Sequence, residues 1–219
     1  MHYLETWSLY LRRNELFEKE LTEKESIKPH FIMGLDLGQV QDYTALGILE
    51  RNGSSKKDRD YKLRYLERFP LGTSYPKIIE KLRHLMENDP LRGRISLVVD
   101  ATGVGLPVID MLRQEKLNPI GITITGGNKA EWGGDGFRVP KRDLVTNLQV
   151  LFQSGRLIVA ESLPLARTFV NELLNFKVKI NAKGHDSYEA WREGVHDDLV
   201  LAVSMAAWYG QHQRSWRPL

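Results

Sequence analysis

Cysteine is absent from the 219 residues. Its absence removes disulfides, thiolate nucleophiles, iron–sulfur clusters and Cys-ligated zinc, and leaves any metal chemistry to carboxylate and imidazole groups. Long hydrophobic runs are missing too, since no apolar stretch approaches the roughly 18 residues expected of a membrane span. The first 30 residues carry six Glu, which argues against a signal peptide, so a soluble intracellular protein with no membrane partner is expected. Charge of one sign is scarce, with 31 Lys+Arg against 28 Asp+Glu and a net charge of +3. That balance permits a nucleic-acid partner without requiring one. The sequence contains no Gly-Lys dipeptide and therefore no phosphate loop of the form G-x-x-x-x-G-K-S/T. What is present supports a packed core: the composition is 42% hydrophobic, on a length suited to one large domain or two small ones.

The spacing of Tyr3, Trp7, Tyr10, Leu11, Phe17 and Leu21 predicts a polar amphipathic helix over 3–28, ended by Pro29. Residues 1–29 therefore read as an N-terminal helix or connector, 30–210 as the main domain, and 211–219 as a basic tail. Strand-like runs at 31–37, 43–50 and 61–69, joined by short links, predict an antiparallel meander with an exposed tip at 51–60. A helix at 74–87, a strand at 95–99, a helix at 104–114 and a strand at 120–124 then call for parallel strands with helical crossovers. The fold class is α/β, with a mixed central sheet that is antiparallel in its first three strands, parallel in its continuation, and flanked by helices. Residues 125–138, with Gly126, Gly127, Gly133, Gly134 and Gly136, read as a long mobile loop. A helix at 141–153, a strand at 157–160, a helix at 163–175, a strand at 176–181 and a helix at 195–209 complete the pattern.

The positions of the aspartates carry the chemistry. Asp36 ends an apolar strand, Asp100 ends another, and the pair Asp197–Asp198 opens an apolar helix. A buried carboxylate is tolerated only if it is paired, neutralised or bound to a metal. In an open α/β sheet, strand ends line a common crevice where the strand order reverses. If Asp36 and Asp100 meet there, two charges about 4 Å apart repel by roughly 4 kcal/mol at an effective dielectric near 20. A hard divalent cation would offset that repulsion, and an all-oxygen donor set suits Mg²⁺ or Mn²⁺. Two such ions bridged by Asp36 could hold the attacking water and the leaving oxygen of a phosphodiester in line. Asp42, at the turn into the second strand, is a candidate outer ligand. Asp197 and Asp198 point about 100° apart on a helix, and the helix is apolar on both sides, so periodicity does not choose between them. Taken singly, Asp36 could cap a turn, Asp100 could bond the loop at 101–105, and Asp197 could cap its helix.

Four motifs in order complete the pattern: Gly34-Leu35-Asp36-Leu37-Gly38 followed by Asp42-Tyr43-Thr44-Ala45; Val98-Val99-Asp100-Ala101-Thr102-Gly103-Val104-Gly105; Gly136-Phe137-Arg138-Val139-Pro140-Lys141-Arg142-Asp143-Leu144; and His196-Asp197-Asp198-Leu199-Val200-Leu201-Ala202. Together they resemble the nuclease domain of tailed-bacteriophage large terminase subunits. The resemblance implies an RNase H-like fold and a divalent-metal endonuclease that cuts concatemeric viral DNA during packaging in the host cytoplasm. It places catalytic carboxylates at Asp36, Asp100, Asp197 and Asp198, an extra acidic residue at Asp42 and a phosphate contact at Lys141. The implied partners are double-stranded DNA, a terminase ATPase domain, a small terminase subunit and a portal. Lys129, Arg138, Lys141 and Arg142, with Trp132 among them, suit the tracking of a DNA backbone without reading sequence. Competing readings are a Holliday-junction resolvase-like nuclease, which shares fold and metal site, and a non-catalytic DNA-binding or assembly module. A sugar-kinase-like ATPase needs a second, duplicated domain that this length does not accommodate.

Overall fold

The computed structural model describes residues 30–38, 42–53, 59–103, 105–134, 136–176, 179–180, 186–187 and 197–213. The predicted helix at 3–28 and the tail beyond residue 213 lie outside the described residues. The main sheet has eight strands: β1 (His30–Asp36), β2 (Ala45–Asn52), β3 (Asp60–Arg68), β4 (Ile95–Asp100), β5 (Ile120–Thr125), β6 (Glu131–Trp132), β7 (Gly136–Pro140) and β8 (Leu157–Val159). Their order across the sheet is β6-β7-β5-β4-β1-β2-β3-β8. β1, β2 and β3 pair antiparallel, while β1–β4, β4–β5, β5–β7 and β3–β8 are parallel. The expected mixed sheet is therefore the observed one.

Alternation along β1 sends its side chains to two separate cores. Phe31, Met33 and Leu35 pack under α1 (Tyr75–Glu87) and α2 (Gly105–Gln114), whose buried residues include Ile78, Leu82, Val108 and Leu112. Ile32 faces the opposite layer, made by α3 (Lys141–Gln153), α4 (Ala166–Asn175) and α5 (Asp198–His212). With a period of two, Gly34 and Asp36 share the face of Ile32. On β4, Asp100 shares the face of Val98, which belongs to the same core.

α5 is buried on nearly all sides, from Leu199 to Trp208, and even Ser204 is enclosed, donating its hydroxyl to the Leu201 carbonyl at 3.0 Å. A helix enclosed in this way has no polar stripe. It lies against β1 because Gly34 has no side chain: a Cβ there would stand 1.9 Å from the Ala202 carbonyl oxygen. Near the other end of α5, Gly210 meets the Ile32 and Tyr61 side chains. The helix therefore runs antiparallel to β1 and brings its N-terminus over Asp36. Gly34→Ala is expected to push α5 off the sheet and cost about 1–3 kcal/mol or more, read as a lowered urea midpoint at unchanged m-value.

The structure corrects one expectation. Residues 125–138 are not one long mobile loop, because Glu131 and Trp132 pair antiparallel with Arg138 and Phe137 and extend the sheet. The glycines serve tight geometry there. Gly134 has φ +73°, the Gly133 N–H donates to the Gly136 carbonyl at 2.8 Å, and a Cβ on Gly136 would stand 2.3 Å from the Gly121 carbonyl oxygen. Of the strand expected at 176–181, Lys179 and Ile180 form β9 (Lys179–Ile180), Phe176 is not in a strand, and residues 177, 178 and 181 lie outside the described residues. β9 pairs with β10 (Asp186–Ser187) in a separate two-stranded ladder.

Candidate metal centre

β1 and β4 are parallel neighbours with Leu35 opposite Val99, so Asp36 and Asp100 stand one step further along, at the same level. Adjacent strands lie about 4.8 Å apart, and both carboxyls leave the sheet on the α5 face. Asp36 is 9% exposed. Burial and then the charges of Asp100, Asp197 and Asp198 hold its carboxyl well above the usual carboxylate range, opposed by Lys141. Burial also raises Asp100, opposed by bonds from Thr102, by a hydrogen bond with Asp36 and by Lys141. Desolvation is thus the first cause of both shifts, and the hydrogen bond with Asp36 works against the one at Asp100. The Thr102 N–H donates to Asp100 Oδ1 at 2.8 Å, and Thr102 Oγ1 accepts the Ile124 N–H at 2.9 Å, so the Asp100 turn is tied to β5. The expectation that Asp100 could bond its own loop holds alongside its place in the cluster.

Asp197 precedes α5. Its carbonyl accepts the first helical bond, from the Leu201 N–H at 2.9 Å, but its side chain makes no capping bond. The carboxylate instead receives the Lys141 ammonium, with Nζ 2.7 Å from Oδ2. Lys141 opens α3 directly after Pro140, which pairs with Thr125 of β5. Asp198 is 6% exposed and turns the other way, where the Arg68 guanidinium grips it with Nε at 2.7 Å and Nη2 at 3.0 Å. Arg68 Nη2 also donates to Glu172 Oε1, and Glu172 Oε2 accepts the Val200 N–H at 3.4 Å. Burial and the neighbouring Asp198 push Glu172 up to about 7 against the pull of Arg68.

The sequence-predicted residues therefore divide by position. Asp36, Asp100 and Asp197 converge, with Asp198 close enough for its charge to act on Asp36. Asp42 is exposed on the turn that leads into β2. Lys129 and Arg138 line an open cleft of about 380 Å³ with Thr125, Gly127, Asn128 and Glu131. Arg142 Nη2 donates to Asn128 Oδ1 at 3.2 Å, fastening this loop to α3, and its Nε lies 3.4 Å from Asp143. Trp132, 44% exposed, stands edge-on to Phe137 at 4.8 Å, and Phe137 in turn meets Trp208 at 5.2 Å.

Arg68 and Glu172 escape sequence reasoning. A signal for Glu172 exists: it sits at helical spacing from Phe169 beside Leu173, on the buried stripe of α4. Arg68 is hidden by the irregularity between β2 and β3 at Ile48/Leu49. Tyr61 and Leu63 face the α5 core, and after the shift Leu66 does as well, so Arg68 follows it inward.

The donor set fits a hard divalent ion. It consists of oxygen alone, and the mutual repulsion among its carboxylates is met at Asp197 by a single ammonium. No group of three or more His, Cys, Asp or Glu is pre-arranged to hold a metal among the described residues. Lys141 holds Asp197 and Arg68 holds Asp198.

Comparison with known proteins bears on this arrangement. The model of the terminase RNase H-like domain family matches residues 33–209. No curated protein matches the sequence significantly. Among solved structures, the fold is similar to the large terminase nuclease from thermophilic phage G20c, with TM-score 0.61 and 23% identity over 85% of this chain and 84% of that one. The G20c nuclease with bound magnesium gives TM-score 0.62 and 24% identity over 83% and 82%. The large terminase nuclease domain of Thermus phage P74-26 gives TM-score 0.56 and 22% identity over 81% and 78%. At these identities the likeness establishes the fold.

Proposed function

The chain belongs to the terminase RNase H-like domain family, and from that premise we propose that it is a divalent-metal-dependent endonuclease that cuts concatemeric viral DNA during genome packaging. The observation that carries this reading is the convergence of Asp36, Asp100 and Asp197 at one end of the sheet, with Asp36 buried and the charges of the other two acting on it. The magnesium in the G20c relative supports the same chemistry here.

Asp36, Asp100 and Asp197 would hold the ion or ions, with Asp36 as the ligand common to both in a two-ion site. Bound there, Mg²⁺ or Mn²⁺ supplies Lewis-acid stabilisation of charge developing on the phosphoryl oxygens. The remaining work belongs to the chain's own residues. Thr102 fixes the orientation of Asp100, and Arg68 keeps Asp198 turned away, so α5 is anchored at the end that carries Asp197. Lys129 and Arg138 offer backbone phosphates two exposed cations in the cleft beside β5. Such contacts position a duplex without reading its sequence. Asp42, exposed on its turn, is left as an outer acidic residue. The family reading also supplies partners: an ATPase domain to move DNA, a small terminase subunit, a portal and a setting in the host cytoplasm.

A plasmid-cleavage assay tests this reading. Supercoiled DNA should be nicked and linearised with Mn²⁺ or Mg²⁺ and left intact with EDTA. Cleavage that persists in EDTA would contradict the metal requirement. Cleavage confined to four-way junctions would point to a resolvase, and binding without cleavage under any metal would point to an assembly module.

A further inference from the structure

We propose that Lys141 is a built-in counter-cation of the carboxylate cluster, one that neutralises Asp197 until a divalent ion takes over that role and that then leaves Asp197. The inference rests on the metal-dependent nuclease reading and adds to it a competition between the protein's own ammonium and the metal.

The first support is the contact. Lys141 Nζ lies 2.7 Å from Asp197 Oδ2 in a pair whose side chains are 20% and 25% exposed, so water screens it only in part. The charge of Lys141 also reaches Asp36 and Asp100, so one ammonium serves the three proposed ligands. The second support is position: the carboxylate that Lys141 holds, Asp197, is one of those whose charge acts on Asp36 beside that of Asp100.

The third support is the contrast with Arg68. Its planar guanidinium grips Asp198 through two nitrogens and reaches Glu172 as well. A forked contact of this kind is geometrically specific and is given up reluctantly. Lysine is a compact charge on a flexible four-carbon stem, and its contact with Asp197 can break without backbone movement. Its main chain is fixed by the register of Pro140 with Thr125, so the side chain is the part that moves. In this same position Nζ lies 5.5 Å from the centre of the Phe176 ring, whose face would go on attracting the ammonium once it left Asp197. An ammonium released from Asp197 is also free to meet a DNA phosphate, so one residue would guard the unloaded site and hold substrate in the loaded one.

Calorimetric titration of Mn²⁺ at pH 8 into the wild-type protein, Lys141→Met and Asp36→Asn separates the two levels of the reading. Removal of the competitor should tighten Mn²⁺ binding in Lys141→Met by about tenfold or more. Asp36→Asn should weaken it by at least about as much. Unchanged or weaker binding in Lys141→Met, with the dependence on Asp36 intact, overturns the counter-cation and leaves the metal site standing. Binding in the wild-type protein that ignores Asp36 overturns the metal site itself. A second measurement needs no variant: amine acetylation of the wild-type protein, mapped by mass spectrometry in EDTA and in saturating Mn²⁺. Labelling of Lys141 should rise several-fold with Mn²⁺, while Lys129, exposed in the cleft, labels equally in both. Equal labelling of Lys141 in the two conditions overturns the proposal.

Discussion

Asp36→Asn is expected to abolish DNA cleavage, lowering the rate by about a thousandfold or more, while the folded protein becomes no less stable in EDTA. The two halves of that result have one origin. Asp36 is buried at the level of Asp100, and its ionised form is opposed by burial and by three neighbouring carboxylates. Asparagine preserves the volume and removes the charge, so the metal-free fold loses a source of repulsion. The same charge is what a divalent ion would bind. Losing a ligand whose interaction with the transition state is worth about 4 kcal/mol slows the reaction roughly a thousandfold. A residue that only caps a turn behaves in the opposite way, because its removal lowers stability and leaves turnover alone. Rates measured with Mn²⁺ beside thermal midpoints in EDTA distinguish the two roles. Full activity in Asp36→Asn would remove the residue from the site.

Arg68→Ala should have the largest effect on stability. Arg68 sits under α5 and binds Asp198 and Glu172, whose side chains are 8% and 7% exposed. Its guanidinium also lies over the Tyr43 ring, 5.1 Å from the centroid. Truncation leaves two buried carboxyls without their cation, and breaking a buried pair in this way costs about 3–5 kcal/mol. Glu172→Gln in the same background should recover part of the loss by removing one of the stranded charges. Because Asp198 opens the helix that also carries Asp197, metal-dependent cleavage should fall with the fold. Urea midpoints of Arg68→Ala and of Arg68→Ala with Glu172→Gln check both statements. A midpoint for Arg68→Ala within about 0.5 kcal/mol of wild type, the range of ordinary surface substitutions, would show that the triad carries no load.

The contrast between these residues explains what could be read from the sequence. Asp36 and Asp100 were legible because each interrupts an apolar strand at its end, and a parallel β1–β4 pair places both on one face. The meander and the crossovers were legible for similar reasons, since alternation, capping residues and turn residues agree locally. The choice between Asp197 and Asp198 was not legible. Both stand at the start of a helix buried on nearly all sides, and what separates their directions is the partner each one finds, Lys141 from α3 or Arg68 from β3. Arg68 looks like a surface residue on an alternating strand until the irregularity opposite Ile48 and Leu49 changes its phase. The glycines of 126–136 misled because glycine marks mobility and tight geometry alike. Here Gly136 is required by the approach of β7 to β5 and Gly134 by its positive φ.

The central claim is that the Asp36–Asp100 end of the sheet holds a divalent ion. The most direct measurement is anomalous scattering from a crystal of this chain soaked in Mn²⁺. The account predicts an anomalous peak bounded by the carboxylates of Asp36, Asp100 and Asp197, with the Lys141 ammonium withdrawn from Asp197. A Mn²⁺ peak elsewhere, with Asp36 still bonded to Asp100 and Lys141 still on Asp197, would contradict it.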